Sequence, residues 1–235
     1  MNRLLLFDVD GTLISAKGAG KRAMHRALLE VYGQTGPIDS YDFHGKTDPQ
    51  IIMALLSAGG IPGSIIDQHR PIFFARYLEL LREEIGDGQR VLVFPGVRRL
   101  LDQLAQFSSV TLGLLTGNIE EGARTKLAPT GLWEFFRVGA FGSDDPNRDR
   151  LPAVATKRAE ALLGERYAPE EVVIIGDTPL DIQCARASGT RVIAVATGRH
   201  AVAELASYCP DHLFSDLTHT EQVVHCMLNG SRGRV

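Results

Sequence analysis

Three apolar runs in this chain each stop abruptly at polar residues, and their order along the sequence limits the fold more than any other feature. Arg3 to Val9 runs into Asp8-Val9-Asp10-Gly11-Thr12, Val110 to Leu115 into Thr116-Gly117-Asn118, and Val172 to Ile175 into Gly176-Asp177-Thr178-Pro179-Leu180-Asp181. A fourth run, Arg191 to Ala196, ends at Thr197-Gly198, and Val138 to Phe141 and His212 to Phe214 are shorter candidates. Runs apolar on both faces predict strands of a parallel sheet buried between helices. The stretches Pro95 to Gln106, Leu151 to Leu163 and Leu180 to Ser188 carry apolar residues at helical spacing. Strands alternating with helices predict a doubly wound α/β sheet, whose ligands bind outside the carboxyl ends of the strands.

Between about residues 16 and 90 this rhythm breaks. Gly20 to Tyr32, Asp48 to Ala58 and Ile65 to Glu84 read as helices with no convincing strand between them. A helical block inserted after the first strand predicts two units: an α/β core over residues 1–15 and 90–235, and a helical cap over 16–89. The crossings, near Ser15-Ala16-Lys17-Gly18 and Gly86-Asp87-Gly88-Gln89, are small or polar and suit hinges.

Composition narrows the partners. A formal net charge of -3 offers no basic excess for nucleic acid. No apolar run is long enough to span a bilayer. The N-terminal apolar run ends in two carboxylates and reads as a buried strand, not a signal peptide. Cys184, Cys209 and Cys226 match neither a zinc cluster nor a redox pair, so free thiols in a reducing cytoplasm are expected.

The strand ends carry the chemistry. Asp8 and Asp10 are two apart and face the same way at a strand tip. Two such carboxylates repel, and a divalent cation relieves the repulsion. Oxygen-only ligands beside a phosphate site point to Mg²⁺ rather than zinc. Thr12 offers a hydroxyl and an amide to phosphate after the turn at Gly11, and Thr116 with the amides that follow it forms an anion-binding nest. Asp177 can complete the metal's carboxylate shell. Asp181 can orient metal-bound water or bind the metal directly, and either Asp177 or Thr178 can cap the helix that follows.

Taken in order, Asp8-Val9-Asp10-Gly11-Thr12-Leu13, Thr116-Gly117-Asn118 and Gly176-Asp177-Thr178-Pro179-Leu180-Asp181 resemble the first, second and fourth motifs of the haloacid dehalogenase superfamily of aspartate-nucleophile phosphatases. The likeness covers nearly the whole chain, and the helical insertion resembles the cap of its phosphoglycolate phosphatase and β-phosphoglucomutase relatives. The third motif departs from the pattern. Where the family usually places a Lys, this chain reads Asp144-Asp145-Pro146-Asn147-Arg148-Asp149-Arg150-Leu151-Pro152. Arg148 is favoured for the role by its spacing, with Arg150 and Lys157 as alternatives, and an Arg acts there as a planar fork.

The resemblance implies a Rossmann-like core and Mg²⁺-dependent hydrolysis of a small phosphorylated metabolite by a monomer or homodimer. Asp8 is the implied nucleophile and Asp10 the acid and base. Asp8, the Asp10 main-chain carbonyl and Asp177 would hold Mg²⁺, while Thr116, Gly117, Asn118 and Arg148 would clasp phosphate. Asp10 argues against a dehalogenase or phosphonatase, since those relatives lack an acid at that place. In the cap, Phe43-His44-Gly45-Lys46-Thr47-Asp48 resembles a stretch that reaches over the site, so Lys46 or His44 is expected to touch substrate. The mutase relatives use a His in the first cap helix, where this chain has Gly20 or Lys21, so a phosphomutase is the weaker alternative.

Overall fold

The computed structural model describes residues 2–229. Six parallel strands form one sheet in the order β5-β4-β1-β6-β7-β8. They are β1 (Arg3–Phe7), β4 (Val110–Thr116), β5 (Val138–Phe141), β6 (Val172–Gly176), β7 (Arg191–Val195) and β8 (His212–Phe214). The chain steps outward from β1 through β4 to β5, then returns to the other side of β1 at β6. This reversal places a crevice beside the carboxyl end of β1, where open α/β sheets hold their ligands.

Alternate residues of the apolar runs point to opposite faces of the sheet. Leu5, Phe7, Leu114, Ile175 and Ile193 pack into one buried layer, and Leu4, Leu6, Leu115, Ile174 and Val192 into the other. Helices α6 (Leu151–Leu163) and α7 (Pro179–Ser188) cover the second layer through Leu151, Ala155, Ala159, Ile182 and Ala185. On the first, Leu100, Leu101 and Leu104 of α4 (Val97–Leu104) and Val223 and Met227 of α9 (Thr220–Asn229) are buried. The expected core strands and helices are all present, with ends displaced by a few residues. The elements not foreseen are α5 (Glu120–Leu127), α8 (Val202–Ser207), α9 and a pair of two-residue strands. These are short, and their apolar pattern covers too few turns to stand out from a loop.

The two-residue strands β2 (Ile14–Ser15) and β3 (Leu92–Val93) pair antiparallel, Ile14 with Val93 and Ser15 with Leu92. They zip together the two ends of the segment that carries α1 (Ala19–Tyr32), α2 (Asp48–Ala58) and α3 (Gly63–Ile85). Leu28, Leu55, Phe73, Tyr77 and Leu80 are buried within this segment. Its apolar surface is continuous with the first layer of the sheet. The three cysteines are free thiols. Trp133 stacks on Phe141 of the edge strand β5, matching a packing role at the sheet margin. No helix among the described residues is long and apolar enough to cross a membrane.

Candidate active site

A cavity of about 240 Å³ opens over the carboxyl ends of β1 and β4. Asp8, Asp10, Thr116, Asn118 and Arg148 line its floor. α1 and the loop 43–48 form the opposite wall, with Gly20, Lys21, Met24, Phe43 and Lys46.

Asp8 directly follows β1, and its amide donates to the Ile175 carbonyl at 2.8 Å, so pairing with β6 extends one residue past the strand. Asp177 directly follows β6. Its Oδ1 accepts from the Thr12 hydroxyl at 2.9 Å. Its Oδ2 lies between two glycines. A Cβ would come within 2.3 Å of that oxygen at Gly11, where φ is +92°, and within 1.8 Å at Gly198. No other residue type fits those positions with Asp177 in place. Asp181 joins the cluster from the first turn of α7. Oxygens of Asp8, Asp177 and Asp181 all lie within 4.8 Å of one another, and all three residues are buried.

Arg148 faces this cluster. It opens a short 3₁₀ turn before α6 and is buried. Its Nη2 lies 2.5 Å from Asp181 Oδ1 and 3.4 Å from Asp8 Oδ1. Nη1 donates to the Gly45 carbonyl at 3.2 Å. Burial disfavours its charge, but Asp181 and Asp8 more than offset this and hold its pKa above the ordinary value. Arg150 instead pairs with Asp145 at the surface and Lys157 is exposed, so Arg148 is the basic group of the three that reaches Asp8. One guanidinium does not balance three carboxylates. Burial, with Asp181 and Asp10 adding to it against Arg148, raises Asp8 to about 6. Burial and the neighbouring Asp8 and Asp181 raise Asp177 well above the carboxylate range. A buried, oxygen-only, charge-excessive cluster fits a hard divalent cation, which would lower both.

The other expected residues divide their work. Asp181 serves α7 as well as Arg148: its Oδ2 accepts from the Thr178 amide at 3.0 Å and hydroxyl at 2.7 Å, a reciprocal cap. The Thr12 hydroxyl is directed to Asp177. Thr116 Oγ1 accepts from the Asn118 amide at 3.3 Å and side chain at 2.8 Å. Asn118 Nδ2 also reaches Asp10 Oδ2 at 2.9 Å. The side chain of Asp10 points to this group and lies outside the triad. Lys46 lines the cavity, but its ammonium sits 4.1 Å above the Tyr41 ring. His44 Nδ1 is 2.6 Å from Asp42.

Gly117 explains how the loop 43–48 comes so close. A Cβ there would stand 2.0 Å from the Lys46 carbonyl. The Gly117 carbonyl accepts from the Asp48 amide at 2.7 Å, the Ile119 amide donates to Asp48 Oδ2 at 2.9 Å, and the Thr47 hydroxyl donates to the Pro146 carbonyl at 2.8 Å.

Two buried charged residues at the site were missed from the sequence. Lys126, on α5, places Nζ 2.6 Å from Asp10 Oδ2 and 2.6 Å from Asn118 Oδ1. Asp48 is buried, and desolvation raises it to about 6 against the pull of Lys126. Asp48 reads as an ordinary first-turn acid and Lys126 as an ordinary last-turn base. Only the fold, which sets α5 directly behind Thr116-Gly117-Asn118, brings Lys126 to the site.

A cavity floored by carboxylates and a guanidinium at the switch point of a parallel sheet is the ligand site of an α/β enzyme. The family model described as haloacid dehalogenase-like hydrolase matches residues 5–195. The chain belongs to that family. It is 28% identical over 223 residues to a phosphoglycolate phosphatase of Synechococcus elongatus, covering 94% of this chain and 96% of the relative. It is 30% identical over 205 residues to a phosphoglycolate phosphatase of Cereibacter sphaeroides, covering 84% and 87%. The crystal structure of a hydrolase from Pseudomonas syringae has the same fold, with a TM-score of 0.71 at 17% identity over 95% of this chain and 98% of that one.

Proposed function

We propose that this enzyme is a phosphomonoesterase that hydrolyses a small phosphorylated metabolite, of the size and charge of phosphoglycolate, through a phosphoryl group carried on Asp8. The observation that carries this reading is the setting of Asp8. Its carboxylate lies on the cavity floor, with Arg148 3.4 Å to one side and the buried carboxylates Asp177 and Asp181 close by. The curated relatives named as phosphatases support the choice of substrate class, and so does the small cavity.

In the first half-reaction an Asp8 oxygen bonds to phosphorus and the P–O bond to the leaving alcohol breaks. Asp10, held on the cavity side of Asn118, gives its proton to the departing oxygen. In the second half-reaction water attacks phosphorus while Asp10 takes a water proton, and the bond to Asp8 breaks to release inorganic phosphate. Dividing the transfer this way is nucleophilic catalysis. Arg148, the Thr116 hydroxyl and the main chain at Gly117 and Asn118 clasp the phosphoryl oxygens. The two bonds that Thr116 Oγ1 accepts from Asn118 leave its hydrogen available to such an oxygen. Asp8, Asp177 and the Asp10 carbonyl are the groups that would hold Mg²⁺, with Asp181 behind them orienting Arg148. Bound there, Mg²⁺ would supply positive charge to offset that of nucleophile and phosphate.

Residues 16–89 act as a cap in this reading, and the zipped β2–β3 pair is its hinge. The cavity wall from the first cap helix is Gly20, Lys21 and Met24, without the histidine that the mutase relatives use there as an acid. This favours release to water over transfer within the substrate. Phosphate release from a panel of metabolite esters, with and without Mg²⁺, tests the reading. Asp8→Asn is expected to abolish release while leaving the circular dichroism spectrum unchanged; retained turnover would refute the nucleophile.

A further inference from the structure

Lys126 lies on the last turn of an eight-residue helix, where a lysine ordinarily extends into water and favours the helix dipole. Here its side chain is 6% exposed. Burying an ammonium is costly unless it is paired and hydrogen-bonded, so its surroundings decide what it does. Asp10, Asn118 and Lys126 form a closed ring: Nζ donates to Asp10 Oδ2 and Asn118 Oδ1, both at 2.6 Å, and Asn118 Nδ2 donates to the same Asp10 oxygen at 2.9 Å. The Asp10 side chain is otherwise 42% exposed, and a carboxylate that open would sample several rotamers without the ring.

The cover of this ring comes from the helical segment. A Cβ at Gly20 of α1 would lie 3.4 Å from Lys126 Nζ and 3.5 Å from the Tyr77 hydroxyl of α3. Asp48, at the start of α2, feels the Lys126 charge and is tied by its carboxylate to the Ile119 amide, which precedes α5. The ammonium therefore has catalytic partners on one side and residues from all three helices of the segment on the other.

We propose that Lys126 is a positioning residue for Asp10, fixing its carboxylate toward the leaving-group side of the cavity and linking that placement to the seated helical segment. The inference rests on the phosphatase reading, with Asp10 as the proton donor. When the segment lifts, water reaches the ammonium and its grip on Asp10 weakens, so acid catalysis is available only in the closed site.

The test compares leaving groups. kcat/KM reports the steps through alcohol release, which need a proton for an alkyl phosphate and little help for p-nitrophenyl phosphate. Lys126→Met is expected to lower kcat/KM for the alkyl ester by ~10²-fold and for the aryl ester by less than ~10-fold, in line with the worth of a placed general acid. In an Asp10→Asn background, Lys126→Met is expected to cost nothing further, because residues acting through one another are not additive. Lys126→Gln, which keeps a donor, is expected to fall between wild type and Lys126→Met. Equal losses on both esters would overturn the inference, as would a further loss in the Asp10→Asn background. Failure of both Lys126 variants to give a folded protein by circular dichroism would likewise reduce the residue to a structural role. An inactive wild-type enzyme across the ester panel refutes the phosphatase reading and this inference with it. An active wild type whose Lys126 variants ignore the leaving group refutes the inference alone.

Discussion

Asp48→Asn is expected to stabilise the protein at neutral pH and to flatten its dependence on pH. The wild-type carboxyl is buried and its pKa is raised from an ordinary 3.8 to about 6, chiefly by desolvation and despite Lys126 and the Ile119 amide. Below about pH 3 the group is protonated both folded and unfolded, and costs nothing. As pH rises toward 6 the unfolded chain gives up the proton more readily than the folded one, so folded stability falls. Above about pH 7 the loss is constant. The separation between the two pKa values corresponds to ~3 kcal/mol, of which about half accrues between pH 5 and pH 7. Asparagine cannot ionise, is nearly the same shape, and can still accept from the Ile119 amide. Urea unfolding of both proteins at several pH values provides the assay. The expected result is a higher midpoint for Asp48→Asn at pH 8, by up to ~3 kcal/mol at an unchanged denaturant slope, with the gap closing toward pH 4. Parallel curves for the two proteins, or a weaker variant at pH 8, would refute the claim that a desolvated charge at this position costs stability.

Mg²⁺ added to chelator-treated protein is expected to raise the melting temperature. The gain in stability is ~2.7 kcal/mol at a hundred times the dissociation constant, and Asp177→Asn should abolish it; a shift that survives this substitution would move the ion elsewhere. Arg148→Met leaves Asp8 and Asp181 without the guanidinium that reaches them. The expected loss is ~3–5 kcal/mol of stability in urea unfolding together with a raised KM, and an unchanged midpoint would count against a paired buried charge. Gly117→Ala would place a methyl 2.0 Å from the Lys46 carbonyl and 3.0 Å from Thr47 Cα, so the loop 43–48 must withdraw. Steady-state kinetics should show a rise in KM with the melting temperature little changed, and wild-type kinetics would contradict the close approach.

Much of the architecture was legible because the relevant signals are local. A run of residues apolar on both faces must be buried on both faces, so the six strands, and with them the helices α4, α6 and α7, follow from pattern alone. Asp8 and Asp177 were readable for the same reason: each directly follows a strand that could be recognised, and in the fold those two strands are neighbours. The weak signals belong to short elements. β2 and β3 have two residues each and exist only because the ends of the helical segment meet. Lys126 and Asp48 carry ordinary helix-terminal residue types, so nothing along the sequence separates them from solvated charges.

Sequence alone determined that carboxylates would gather at the carboxyl edge of a parallel sheet, since strand direction and side-chain alternation are properties of the chain itself. Tertiary structure decided which charged groups face one another. Arg148 rather than Arg150 or Lys157 reaches Asp8, Lys46 rests on Tyr41, and Lys126 closes on Asp10. Those outcomes depend on desolvation and on distances of a few ångströms between segments far apart in the chain. A residue's type and its immediate neighbours carry no record of either.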